Sequence, residues 1–190
     1  MAEVKKPFKK QKFQEMKRGE VIVYTGEGKG KTTAALGLAL RAAGYKKKVL
    51  IVQFGKVWFT GELEGVKMLS PYVKLIQGGL GFVKLFDDNS PFSEHVKAAE
   101  KTYNILYKEV MSGKYDVVIA DEIVGAVAGK VLKHSHMVRL IKDKPEKVDL
   151  ILTGHHGKKS LFQLADLVTE MTPIKHPFEK GFLAKPGVDY

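Results

Sequence analysis

The chain has 190 residues, 44% of them hydrophobic and 28% charged, which suits one well-packed domain and is short for two. It contains no cysteine, which excludes disulfides, thiolate metal sites and cysteine nucleophiles together. No stretch reaches the roughly 18 uninterrupted apolar residues of a membrane-spanning helix, and no apolar core follows the basic N-terminus, so a cytoplasmic, unprocessed protein is expected; the net charge of +11 fits nucleic acid, a membrane surface or an anionic small substrate, of which the small substrate is expected and a membrane is not.

In chain order, residues 1–18 hold seven Lys/Arg against two Glu, and residues 1–19 read as a basic arm. The arm is either solvated or folded over a bound anion by Phe8 and Phe13. Short runs rich in Val and Ile follow at 20–25, 48–54, 72–77, 115–121 and 148–154, with "LVTEM" at 167–171 as a sixth. Between them lie helical segments. One runs from Lys31 to Ala43 with Gly44 as its C-terminal cap; another opens at Ser90-Pro91 and ends at Gly113. "HMVRLIKDK" and "GKKSLFQLA" are shorter candidates. Near-continuous apolar strands alternating with helices predict a single α/β domain over 20–190, a mostly parallel sheet with helices on both faces. The tail from Pro173 to Tyr190, with three prolines and two glycines, predicts an extended wrap over the core, beginning at about 172.

"TGEGKGKTTAA", residues 25–35, lies between the first strand and the first helix, the context in which a glycine-rich turn binds phosphate. The usual pattern is G-x-x-x-x-G-K-[ST]. Counting back from Gly30 puts Thr25 in the place of the first Gly, with Gly26 one position late. Gly26, Gly28 and Gly30 followed by Lys31-Thr32-Thr33 exceed what a plain turn needs. Thr25, Gly26, Glu27, Gly28, Lys29, Gly30, Lys31, Thr32 and Thr33 are therefore the candidate ATP-binding residues. Lys31 reaches phosphate oxygens from a solvent-facing helix start, and the Thr32 hydroxyl ligates Mg²⁺. "VVIADE", residues 117–122, resembles the strand that delivers a carboxylate to Mg²⁺ in P-loop enzymes. Asp121 and Glu122 are the candidate metal ligands beside Thr32; Glu122 reads either as a ligand or as a water-activating base.

Beyond a generic nucleotide fold, "YTGEGKGKTTAALGLALRAAG", "VLIVQFGKVWFTGE", "YDVVIADE", "LTGH" and "ADLVTEMTPIKHPFEKGFLAKPGVDY" occur in order over residues 20–190. Together they resemble the P-loop-type ATP:cob(I)alamin (corrinoid) adenosyltransferase family. The most specific elements are the displaced glycine loop, Gln53-Phe54 at a strand end and the C-terminal string. The resemblance implies a RecA-like P-loop fold, a homodimer, ATP bound with Mg²⁺, a corrinoid acceptor and a flavoprotein as the accompanying reductant. It implies transfer of the 5′-deoxyadenosyl group to Co(I) with release of triphosphate, the nucleotide lying in the loop in a reversed sense. Co(I) is itself the nucleophile, so the protein's tasks are alignment and neutralisation of the departing triphosphate; Lys31, the loop amides and Mg²⁺ on Thr32 with Asp121 or Glu122 serve the second, and Lys31, Glu122 and Phe82 are the candidate catalytic residues.

The resemblance places Phe82 against the corrin, where an aromatic helps displace the lower axial ligand; Lys84 stands where the family often has a second aromatic, and Trp58 lies in a loop near the ligand. Phe82 also reads as one more core aromatic. After "LTG" the family usually has Arg, whereas this chain has His155-His156, which with His134 and His136 read as solvated loop residues rather than a metal site. Two other functions fit parts of the chain: a small RecA-like ATPase acting on nucleic acid, favoured by charge alone and opposed by the C-terminal string, and a divergent ATP- and corrinoid-binding paralogue with weak transfer.

Overall fold

The computed structural model describes residues 16–81, 83 and 88–190. Six strands, β1 (Val21–Thr25), β2 (Val49–Phe54), β3 (Val73–Gly78), β4 (Val117–Asp121), β5 (Asp149–Thr153) and β6 (Leu167–Glu170), form one sheet in the order β3-β2-β4-β5-β1-β6. Every pairing is parallel. All six coincide with the predicted apolar runs, and the architecture is the RecA-like α/β arrangement.

β2 and β4 are buried along their whole length, which explains why they carry Val and Ile at consecutive positions. Alternate side chains enter different layers. Leu50, Val52, Val118, Ala120, Leu150 and Leu152 pack with Ala99, Tyr103 and Leu106 of α3 (Phe92–Met111). Val49, Ile51, Val117, Ile119 and Ile151 pack on the other face with Ala35, Ala39, Ala42 and Ala43 of α1 (Lys31–Gly44). Each fully buried aliphatic side chain contributes about 1.5–3 kcal/mol. The alanine face lets α1 lie close to the sheet, and this fixes the height of the phosphate loop above it.

α3 begins after Pro91 and ends before Gly113, whose φ of +66° lies in the left-handed region that favours glycine, as predicted. α1 differs at its end: Gly44 is still helical, and the left-handed residue is Lys46, whose amide bonds Ala43 O at 2.8 Å. α2 (Gly61–Gly65), α4 (Ile123–Ala128) and 3₁₀ turns at Val66–Leu69 and Pro177–Lys180 were not predicted. They are too short to show a helical period. α5 (His134–Asp143) and α6 (Lys159–Phe162) match the two shorter candidates, α6 with only four residues.

Residues 172–190 are exposed almost throughout, with Ile174 at 98% and Leu183 at 89%. The tail meets the loop after β1 through Val188 O and Asp189, both partners of Lys29. At the other end, Arg18 pairs with Asp166, fixing the chain just before β1. Residues 1–15 of the predicted arm lie outside the described residues.

Candidate active site

In a parallel sheet the loops at the carboxyl ends of the strands open on one edge, where ligands bind. Here the loop after β1 holds Gly26 and Gly30 at φ of +96° and +120°. A Cβ on Gly26 would stand 2.4 Å from Met171 O, and one on Gly28 2.7 Å from the same atom. The loop therefore needs glycine because the chain leaving β6 runs against it: Met171 N donates to Thr25 O at 2.8 Å, and Gly28 N donates to Met171 O at 2.7 Å. Thr25, in the place of the missing first glycine, is buried, and its hydroxyl accepts from Gly157 N at 3.0 Å. That substitution ties the phosphate loop to the loop after β5.

Lys31 is not solvent-facing as predicted; its residue is 5% exposed. Its Nζ folds back to donate to Gly26 O at 2.7 Å and Gly28 O at 2.8 Å, inside the curve of the loop. Burial lowers its pKa, partly opposed by the negative charges of Glu122, Glu27 and Asp121. Thr33 is exposed on the first turn of α1. Lys29 points outward, donating to Val188 O at 2.7 Å and pairing with Asp189 of the tail.

Strand register assembles the carboxylate centre. Gln53 of β2 lies opposite Gln77 of β3 on one side and Asp121 of β4 on the other. Gln77 Nε2 donates to Gln53 Oε1 at 3.1 Å, which turns the Gln53 amide nitrogen toward Asp121 Oδ2 at 3.1 Å and Glu62 Oε1 at 2.9 Å. Lys56 bridges the same two carboxylates, 3.3 Å from Asp121 and 3.1 Å from Glu62. On its other oxygen, Asp121 accepts from Thr32 at 2.9 Å and Thr153 at 2.7 Å. Asp121, 1% exposed, is thus a fully bonded buried anion.

Glu122 follows in the left-handed conformation, φ +63°, which turns its side chain off the strand. Burial first, and the Asp121 charge second, push its pKa from 4.5 up to about 7, with Lys31 and Lys56 opposing. It lines a largely apolar cavity of about 470 Å³ walled by Phe54, Leu80, Val83, Ala99, Ala126 and Val131. His155 and His156 line it too, and both face the phosphate loop: His155 Nδ1 is 3.4 Å and His156 Nδ1 3.0 Å from the Glu27 carboxylate. Both lie in the loop after β5 with much of their side chains in solvent, as expected, and each also reaches Glu27. Burial and then Lys31 lower the His155 pKa, against the pull of Glu27.

Lys31, Thr32, Asp121 and Glu122 are therefore brought together as predicted from the sequence. Trp58 lies beside Gly81, at the rim of the cavity. Phe82 and Lys84 lie outside the described residues. The sequence reading gave no role to Lys56, Glu62 and Thr153, although they lie within the quoted strings "VLIVQFGKVWFTGE" and "LTGH", nor to Gln77 and His95. His95 is buried on the α3 stripe with Ala99 and Thr102, where helical spacing locates it, and its Nε2 is 2.9 Å from Asp88 Oδ2 at the cavity wall. His134 and His136 stand on the first turn of α5 and do not line the cavity; His134 Nε2 lies 3.2 Å from Ser160 Oγ, and His136 Nδ1 accepts from Lys133 N at 3.1 Å.

Residues 17–190 match the family described as ATP:corrinoid adenosyltransferase BtuR/CobO/CobP. The corrinoid adenosyltransferase of Escherichia coli is 36% identical over 175 residues, covering 91% of this chain and 86% of its own length. That of a Sinorhizobium species is 35% identical over 176 residues, covering 91% and 81%, and the corrinoid adenosyltransferase CobA of Salmonella typhimurium is 34% identical over 175 residues, covering 91% and 86%. With a phosphate loop and an apolar cavity meeting at one pair of acidic residues, and these likenesses across nearly its whole length, the chain belongs to the ATP:corrinoid adenosyltransferase family and is an enzyme of adenosyl transfer from ATP to a corrinoid.

Proposed function

We propose that the triphosphate of ATP lies in the loop of residues 25–33, that the corrinoid enters the cavity beyond Glu122, and that the 5′ carbon is held between them for attack by Co(I), triphosphate leaving. The observation that carries this reading is the position of Glu122, whose neighbour Asp121 bonds the phosphate-loop Thr32 while Glu122 itself lines the apolar cavity. A polar end for the leaving group and an apolar end for the acceptor are what alignment of such a displacement requires.

Lys31 is poised to exchange two loop carbonyls for phosphate oxygens, a stronger pairing between opposite charges. The Thr32 hydroxyl and the Asp121 carboxylate, 2.9 Å apart, are hard oxygen donors of the kind Mg²⁺ takes, so these residues fit the ion. Bound there, Mg²⁺ would supply neutralisation of the triphosphate charge. Glu122, with its pKa near 7, stands beside the reacting centre as a positioning group that limits negative charge in the cavity. Trp58, Phe82 and Lys84 take the corrinoid side.

Reduction of the corrinoid cobalt needs an electron donor, a flavoprotein in this reading. The use of ATP and a reduced corrinoid supports a cytoplasmic reaction in this reading. A homodimer is supported by the apolar tail residues Ile174, Phe178, Phe182 and Leu183, which are exposed together with Leu167 and Val168 on the edge strand β6. The test is incubation of the protein with ATP, Mg²⁺ and chemically reduced cobalamin. The light-sensitive adenosylated spectrum should appear together with triphosphate. Brisk release of ADP without corrinoid would overturn the assignment of the loop to leaving-group chemistry.

A further inference from the structure

Lys56 is a half-buried ammonium clamped between the half-buried Glu62 and the buried Asp121, and the phosphate-binding reading gives it no task. Its side chain is 14% exposed, that of Glu62 11% and that of Asp121 1%. Gln53 spans the same two carboxylate oxygens, so the pair is held at a fixed separation by one neutral and one charged donor. Both carboxylates lie within ion-pair distance of the one ammonium, 3.1 Å for Glu62 and 3.3 Å for Asp121, so the three charges compensate one another where solvent is scarce. Without that ammonium, two carboxylates would face each other in a poorly solvated pocket, where they must either take up a proton or bind another cation.

We propose that Lys56 is an internal counter-cation that keeps divalent metal out of the Asp121–Glu62 pair, so that Mg²⁺ enters the site only together with ATP. The inference rests on the reading of Asp121 as part of the Mg²⁺ site. Lys56 occupies Asp121 Oδ2, and only Oδ1, shared by Thr32 and Thr153, faces the phosphate loop. A metal approaching the nucleotide-free protein meets one carboxylate oxygen beside a fixed positive charge. Triphosphate brings the negative charge and oxygen ligands that the site withholds on its own. Metal-free ATP and ATP-free metal are then both weak ligands, and the Mg²⁺ complex of ATP is selected as the substrate.

The experiment is a titration of nucleotide-free protein with Mn²⁺, followed by the loss of the free-ion EPR signal. Wild type should leave the ion free through the millimolar range. Lys56→Met should bind one Mn²⁺ at least about ten-fold more tightly, since a unit charge beside the site has been removed. Lys56→Arg should behave as wild type, and the double variant Lys56→Met/Glu62→Gln should lose the gained affinity. Should Lys56→Met fail to melt cooperatively, Lys56→Gln, which keeps a hydrogen-bond donor without the charge, takes its place. Binding by the neutral variant no tighter than wild type overturns the proposal, as does Mn²⁺ affinity of Lys56→Arg equal to that of Lys56→Met. The magnesium reading itself fails on another measurement, a wild-type affinity for ATP that is the same with and without Mg²⁺, so the two failures are told apart.

Discussion

At the residue scale, the site couples buried charges whose removal has opposite consequences. Lys31 satisfies Gly26 O and Gly28 O, so Lys31→Ala should weaken ATP binding by about 100-fold and also destabilise the ligand-free fold by about 1–3 kcal/mol, the cost of leaving buried carbonyls unpaired. Calorimetric ATP titration and thermal melting check both; unchanged affinity would remove the loop from the mechanism. Glu122 behaves in the other sense. Its folded-state pKa, about 7, lies above its ordinary 4.5, so the folded protein holds a proton that the unfolded chain releases. Stability from this group is therefore full below 4.5, falls as pH rises between the two values and is lost above 7. Glu122→Gln should match wild type near pH 4 and exceed it by roughly 3 kcal/mol at pH 8, read from melts across that range without Mg²⁺.

At the element scale, the phosphate loop is shaped by β6 as much as by any ligand. The chain beyond β6 bonds both Thr25 and Gly28 through Met171, and Gly26 cannot carry a side chain without striking Met171 O. Gly26→Ala combines that clash with a φ of +96°, so a loss of about 2–4 kcal/mol is expected, together with weaker ATP binding as the loop and β6 separate. A melt within about 0.5 kcal/mol of wild type would mean that β6 yields easily and does not set the loop. Thr25, anchored to Gly157, joins the loops after β1 and β5 in the same way and carries His155 and His156 to Glu27.

At the scale of the molecule, the exposed tail and the edge strand present apolar surface that a second copy would cover. Sedimentation velocity should give about twice the chain mass, and Ile174→Ser with Leu183→Ser should shift the population toward monomer without lowering the melting temperature of the monomer, because neither residue is buried in the single chain. A wild-type monomer at tens of micromolar protein would remove the dimer from the proposal.

The sequence by itself determined the α/β class, all six strand positions, the phosphate loop and the acidic pair after β4, because these depend on local pattern: continuous apolar runs, glycine spacing and a motif contiguous along the chain. The family resemblance was equally legible, since it needs residue order alone. Tertiary structure alone decided which polar groups meet. Gln53, Gln77 and Asp121 sit on three strands that are distant in sequence, and only the parallel register places them side by side. The burial of Lys31, the clamp of Lys56 on Asp121 and Glu62, and the turn of His155 and His156 toward Glu27 likewise follow from strand order and loop path, which no local pattern encodes. The tail marks the same limit. Its prolines and glycines announced an extended segment, but whether that segment covers this chain's core depends on apolar surfaces that only the assembled fold presents.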